Sequence, residues 1–267
     1  MLLLQAALLG VVQGLTEFLP VSSSAHLLLA RAFFGWDAEQ FGRPFDVACH
    51  VGTLAAILVY FRNDLMAMAA AIPRLLSRGA DRAARLLWLV VIGTVPLVPI
   101  GLLLADREDA LRTPAVIAVT LAVVGALMLL AERFGRQDKS AEQLGAGQAF
   151  VLGIAQSLAL IPGVSRSGAT ITTGLAFGLT RESAARFSFL LGVPAMVAAA
   201  AHEGHRLMGH PMDHETQLVF VIGMVTSGIV GYLTVAFFLK FIINHKIAVF
   251  GWYRLALALV TVIWLYA

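Results

Sequence analysis

Apolar residues along this chain fall into long runs, and six of them are apolar almost throughout. These runs lie near residues 46–61, 86–105, 114–131, 184–201, 217–240 and 251–267, and each is long enough to carry a helix across a bilayer. Two further apolar stretches are interrupted in their middles. LGVVQGLTEFLPVSSSAHL, from residue 9, breaks at Pro20 and runs into Ser22, Ser23 and Ser24. LGIAQSLALIPGVSRSGATI, from residue 152, breaks at Pro162-Gly163 and runs into Ser165 and Ser167. Proline removes a backbone donor and stops a helix, so each stretch predicts a helix that enters the bilayer, breaks and returns.

The two interrupted stretches resemble each other. Both open with Leu-Gly, and both place a glutamine (Gln13, Gln156) three residues after that glycine. The first lacks the basic start of a signal peptide, and a cleavable leader does not recur in mid-chain, so it reads as mature structure. The chain is therefore expected to be an internal duplication, with repeat one about 1–131 and repeat two about 149–267 in a single polytopic domain. Three full spans follow each hairpin. Three is odd, so the second copy is expected to lie inverted, with the two hairpins meeting near the midplane.

Composition agrees. The 267 residues are 59% hydrophobic and 13% charged, far from a soluble domain. The net charge of +3 is spread over short loops, which fits orientation in a membrane and gives no nucleic-acid patch. On the inverted scheme 13 of the 19 Lys and Arg fall in segments 62–85, 132–148, 180–186 and 240–254. Segments 31–44, 106–113 and 202–216 hold 5, and Arg166 lies within a hairpin. The richer side is expected to be cytoplasmic, so the first hairpin opens outward. The single cysteine, Cys49, excludes an internal disulfide and reads as a packing residue.

The chemistry sits in the hairpins. Gln13 and Glu17 are four apart and share a helix face; a carboxylate at membrane depth is a functional candidate by default. Ser22, Ser23 and Ser24 suit a helix cap, but His26 lies three residues beyond Ser23, and serine with histidine in reach is the minimum for a nucleophile. In the second copy the start of a half-helix favours an anion, Arg166 adds a fork suited to phosphate, and Ser165, Ser167 and Thr170 add hydroxyls. Together these predict a site for a substrate with an apolar body and a phosphate-like head, with Ser22, Ser24, Ser165, Ser167 and Thr170 expected to bind it. A divalent cation, Mg2+ or Ca2+, held by Glu17 with Gln13 would neutralise acid and anion alike. His50 either faces this site or packs against a neighbour. His202, His205, His210 and His214 crowd a loop without zinc-helix spacing.

QGLTEFLPVSSSAH and PGVSRSGAT, with FDVACHVGTLAAILVYF, GLTRESAARFSFLLGVPA and the terminal WYRLALA, resemble the bacterial undecaprenyl-diphosphate phosphatase family of the bacitracin-resistance type. The resemblance implies a multi-pass protein of the bacterial inner membrane whose site opens to the periplasmic side. It implies hydrolysis of undecaprenyl diphosphate to the monophosphate, which recycles the lipid carrier of peptidoglycan synthesis. It makes Glu17 the essential acid, Ser23 the nucleophile, His26 its partner and Arg166 the diphosphate-binding arginine. Many members carry Glu where this chain has Gln13, which bears on a two-carboxylate metal site. The expected partners are the bilayer and a polyprenyl diphosphate, with a homodimer left open. The other class of function compatible with inverted repeats and broken helices is a carrier or flippase for a lipid phosphate or small anion.

Overall fold

The computed structural model describes residues 1–37, 40–75, 81–104, 108–207 and 212–267, and the regular elements among them are all helices. The first interrupted stretch forms α1 (Leu2–Thr16) and α2 (Ser23–Phe34) on either side of the Pro20 turn. Next come α3 (Arg43–Tyr60) and α4 (Arg62–Ala70), which meet at Phe61 with a 74° bend. Then follow α5 (Arg82–Thr94), α6 (Leu97–Leu104), the single turn α7 (Glu108–Leu111) and α8 (Pro114–Phe134). The second interrupted stretch forms α9 (Ala146–Ser157) and α10 (Arg166–Ala176). The chain ends with α11 (Arg181–Leu207), α12 (His214–Asn244) and α13 (Ala248–Tyr266).

Among the described residues five helical segments are long and apolar enough to cross a membrane, and six if the bent α3–α4 pair is one span. All six expected stretches are thus helical, each with shifted ends. Two local expectations need correction. Part of the 62–85 loop is helical as α4, held by an Arg186–Asp64 ion pair of 3.0 Å and by Arg186 stacked over Phe61. The second span is broken at Val95-Pro96, where proline has no N–H to give Ile92. The histidine cluster is also not a loop. His202 and His205 are exposed on the last turns of α11 and His214 begins α12, while His210 lies outside the described residues.

The helices are apolar on both faces. On α8, Ile117, Leu121, Val124 and Met128 are buried, while Val119, Val123, Leu127 and Leu130 form an exposed stripe. Such a helix is stable only when lipid covers the outer stripe, and the chain is accordingly a multi-pass membrane protein. Lipid offers no hydrophobic drive for helix association, so contacts rely on close backbone approach. A Cβ at Gly14 of α1 would come within 2.8 Å of the Ser227 carbonyl and the Gly231 amide of α12. Gly52 of α3 faces the Met224 carbonyl of the same helix with no room for a side chain. Ser227 hydroxyl donates to the buried Cys49 carbonyl at 2.8 Å, tying α12 to α3. On the other side Gly153 of α9 lies against the backbone of Gly93 on α5, and Gly125 of α8 against Gly251 of α13.

Candidate active site

The two prolines lead into turns of the same construction. Ser22 and Ser165 cap α2 and α10, and both are non-glycine residues at positive φ (76° and 68°). Each hydroxyl accepts the third amide of its helix, Ala25 N–H at 3.4 Å and Gly168 N–H at 3.0 Å. Each also meets the serine two residues on, Ser24 and Ser167, at 3.2 Å. Left-handed backbone in such residues costs about 1–3 kcal/mol and concentrates at functional sites. This construction makes Ser23 the first residue of α2 and Arg166 the first residue of α10. The turns touch: Ser167 hydroxyl donates to the Leu19 carbonyl at 3.1 Å, and Gly163 N–H donates to Ser24 at 3.4 Å.

Glu17 is buried where they meet. Its Oε2 accepts Ser23 Oγ–H at 2.7 Å and Gln13 Nε2–H at 2.9 Å, and faces His50 Nε2 at 3.3 Å. Its Oε1 accepts Arg166 Nη2–H at 3.0 Å. A carboxylate survives at this depth because each oxygen has a donor and Arg166 supplies the opposite charge. His50 is thereby placed at the site. Its Nδ1 donates to the Asp46 carbonyl at 2.8 Å, since a carbonyl only accepts, and that bond aims Nε2 at Glu17. The Asp46 carboxylate is gripped by Arg31 at 2.6 and 3.0 Å and by Arg112 at 2.9 Å, and Arg31 also donates to the Phe41 carbonyl. This fixes the start of α3.

Two groups beside Glu17 have no partner. Arg166 donates through Nη2 to Glu17 and toward Met196 Sδ at 3.4 Å, but its Nη1 is buried and unpaired. Gln13 Oε1 is likewise buried and unpaired. The guanidinium lies across Gly192 of α11, where any Cβ would overlap it. A buried unpaired donor on a permanent cation suits an oxyanion, and the neighbouring unpaired carbonyl oxygen suits a hydroxyl, a water or a cation.

Several contacts differ from those expected. No hydrogen bond joins Ser23 to His26. His26 Nδ1 donates to the Ser22 carbonyl at 2.7 Å, and Nε2 pairs with Tyr253 O–H at 2.7 Å, the two rings stacked at 5.7 Å. Helical side chains lean toward the N-terminus, so Ser23 reaches back over the turn to α1 while His26, one turn on, faces α13. Ser22, Ser165, Ser167 and Thr170 were expected to bind substrate, but their hydroxyls are buried and engaged within the protein. Thr170 donates to the Arg166 carbonyl at 2.7 Å and meets Ser188 Oγ at 2.5 Å. Of the five hydroxyls expected to bind substrate only Ser24 is partly exposed. The donor set does not fit a resident divalent ion either. Among the described residues no three His, Cys, Asp or Glu gather to ligate one, and both Glu17 oxygens are engaged. Sequence reasoning missed Asp46, Gly192, Tyr253 and Arg254; the Asp46/His50 spacing of one helical turn was a signal for the first.

The family described as bacitracin resistance protein BacA matches residues 6–260, which take in both serine turns and all the residues around Glu17. The chain belongs to this family. It is 51% identical over 260 residues to an undecaprenyl-diphosphatase of Rubrobacter xylanophilus, with 96% of each chain covered. It is 43% identical over 268 residues to an undecaprenyl-diphosphatase of Thermomicrobium roseum, covering 96% of this chain and 95% of that one. A protein of the same description from Moorella thermoacetica is 40% identical over 268 residues, with 99% of each chain covered. Family membership extends over both halves, so the seam at which the two serine turns meet belongs to the matched region.

Proposed function

We propose that this protein is a membrane phosphatase that hydrolyses undecaprenyl diphosphate to undecaprenyl phosphate and inorganic phosphate. That reaction returns the lipid carrier to peptidoglycan synthesis and underlies bacitracin resistance. The observation that carries the reading is Glu17 bonded to both Ser23 and Arg166, with Arg166 Nη1 left for a phosphoryl oxygen. The names of full-length relatives supply the substrate.

Glu17, rather than His26, is placed to act as the base. Ser23 Oγ attacks the terminal phosphorus as its proton passes to Glu17 Oε2. The bond from that phosphorus to the bridging oxygen breaks, and undecaprenyl phosphate leaves with the bridging oxygen and its electron pair. Arg166 neutralises the charge gathering on the phosphoryl oxygens. The proton on Glu17 passes to the departing phosphate. Water then attacks the phosphoserine phosphorus as Glu17 takes its proton, the bond from phosphorus to Ser23 Oγ breaks, and Glu17 returns that proton to Oγ as inorganic phosphate leaves. Were a divalent ion such as Mg2+ or Ca2+ to accompany the diphosphate, Gln13 Oε1 is the unpaired neutral oxygen that would hold it, and the ion would offset phosphate charge.

The inverted arrangement is part of the same reading. It is supported by reciprocal packing: α1 of the first hairpin lies on α12, and α9 of the second lies on α5. With Arg254 buried in the core, 12 Lys and Arg remain on the side assigned to the cytoplasm against 5 on the other. The hairpin bearing Glu17 and Ser23 then opens to the periplasmic side.

The test is phosphate release from undecaprenyl diphosphate by the purified protein, with Ser23→Ala and Glu17→Gln beside wild type. Each variant is expected to lose about 1000-fold or more. Release by wild type no faster than by Glu17→Gln refutes the function and leaves a carrier. Substantial turnover by Ser23→Ala alone replaces serine attack with direct attack by water.

A further inference from the structure

Arg254, in the middle of α13, is fully buried and takes no part in the chemistry above. Arginine stays charged in any protein setting, so burying one demands an explanation. Among the described residues no carboxylate lies within ion-pair distance of it. Its partners are instead main-chain carbonyls. Nη1 donates to Pro20 at 3.3 Å, and Nη2 to Gly163 at 2.6 Å, Val164 at 3.1 Å and Thr120 at 3.4 Å. Pro20 lies two residues before Ser22, and Gly163 and Val164 directly precede Ser165. One cation therefore fastens the carbonyls of both strained turns, one from each interrupted stretch, and Thr120 brings in α8.

Each turn also fixes the first residue of its half-helix, Ser23 in one case and Arg166 in the other. Glu17 bonds to both at 2.7 and 3.0 Å. The relative placement of nucleophile, acid and guanidinium is thus set where Arg254 holds the turns together. The charges point the same way. Arg166 is paired with Glu17, while Arg254 is held by carbonyls alone, so the joined turns carry an excess of positive charge.

We propose that Arg254 is a positioning residue for the phosphatase reaction, holding the two serine turns in register and leaving a positive excess that the substrate's diphosphate neutralises. The proposal rests on the phosphatase reading. Its first test needs no substrate. Hydrogen exchange of the purified protein is followed over 19–26 and 161–170 in wild type, Arg254→Lys and Arg254→Met. Both variants are expected to speed exchange at the two turns selectively, at least about tenfold in Arg254→Met, while α3 and α12 keep wild-type rates. Steady-state kinetics then separate position from charge. Arg254→Lys keeps the charge but cannot span the carbonyls, so kcat falls about 100-fold with KM within about threefold of wild type. Arg254→Met loses both, so KM rises about tenfold as well.

Unchanged exchange at the turns, or kcat of Arg254→Lys near wild type, overturns the proposal. So does faster exchange along the whole chain, which would make Arg254 a general stabiliser. If Arg254→Met does not fold, Arg254→Lys carries the exchange and kcat tests alone. A wild type without phosphatase activity would sink the functional reading, while the exchange result would still decide whether Arg254 holds the turns.

Discussion

Gly192→Ala adds one methyl group to the middle of α11, and the site predicts a large loss of activity from it. The new Cβ would overlap Arg166 Nη1 and stand 3.2 Å from Nη2. Restoring an ordinary contact of about 3.5 Å at Nη1 requires the guanidinium to move by about 2 Å or more. The 3.0 Å bond from Nη2 to Glu17 does not survive such a shift. A hydrogen bond to a charged group is worth about 1.5–3 kcal/mol, and misplacing a catalytic group by 1 Å can cost about 100-fold. The expected fall in kcat/KM is therefore about 100-fold or more, equivalent to about 2.7 kcal/mol. Folding should not suffer in step, because alanine favours a helix over glycine by about 0.5–1 kcal/mol. The assay is phosphate release with a thermal unfolding curve on the same preparation. Gly204→Ala on the same helix is the control, since a Cβ there meets nothing within 4 Å. In an Arg166→Lys background, Gly192→Ala should add little, because both act through one side chain. Activity of Gly192→Ala within about threefold of wild type would refute the placement of Arg166.

Two other predictions address orientation and residue 13. Arg136→Cys should resist an impermeant thiol reagent in intact cells while Glu215→Cys is labelled; Cys49 is buried and should stay silent in both. Equal labelling of the two would defeat the inverted arrangement. Gln13→Glu puts a second carboxylate beside Glu17, so activity should saturate at lower Mg2+ or Ca2+ than in wild type and fall without added metal, as the two acids repel. Superimposable metal titrations would mean that residue 13 does not face the cation.

The spans and breaks were legible because apolar length and proline act locally. Glu17 and Arg166 were legible because charge inside an apolar stretch needs a reason. What could not be read were contacts across the fold. Gly192 is one glycine among 24 until Arg166 is seen lying on it. Arg254 looked like part of a loop because a short apolar segment gives no sign of where its arginine points. His50 was ambiguous for the same reason, since its meaning lies in a carboxylate 33 positions earlier. The error over His26 was one of direction. Spacing puts it on the face of Ser23, but the first residue of a helix reaches back across its cap, and the fourth does not.

The acid and the serine come from one interrupted stretch and the guanidinium from the other, so the reactive geometry exists only along a seam. An inhibitor need not compete for the diphosphate. A rigid apolar wedge, entering from the lipid beside Tyr253 and parting the turns by about 1 Å, would leave every side chain intact and still separate Glu17 from Arg166. Resistance to such a wedge would then appear as bulkier residues lining the seam, with the phosphate-binding groups unchanged.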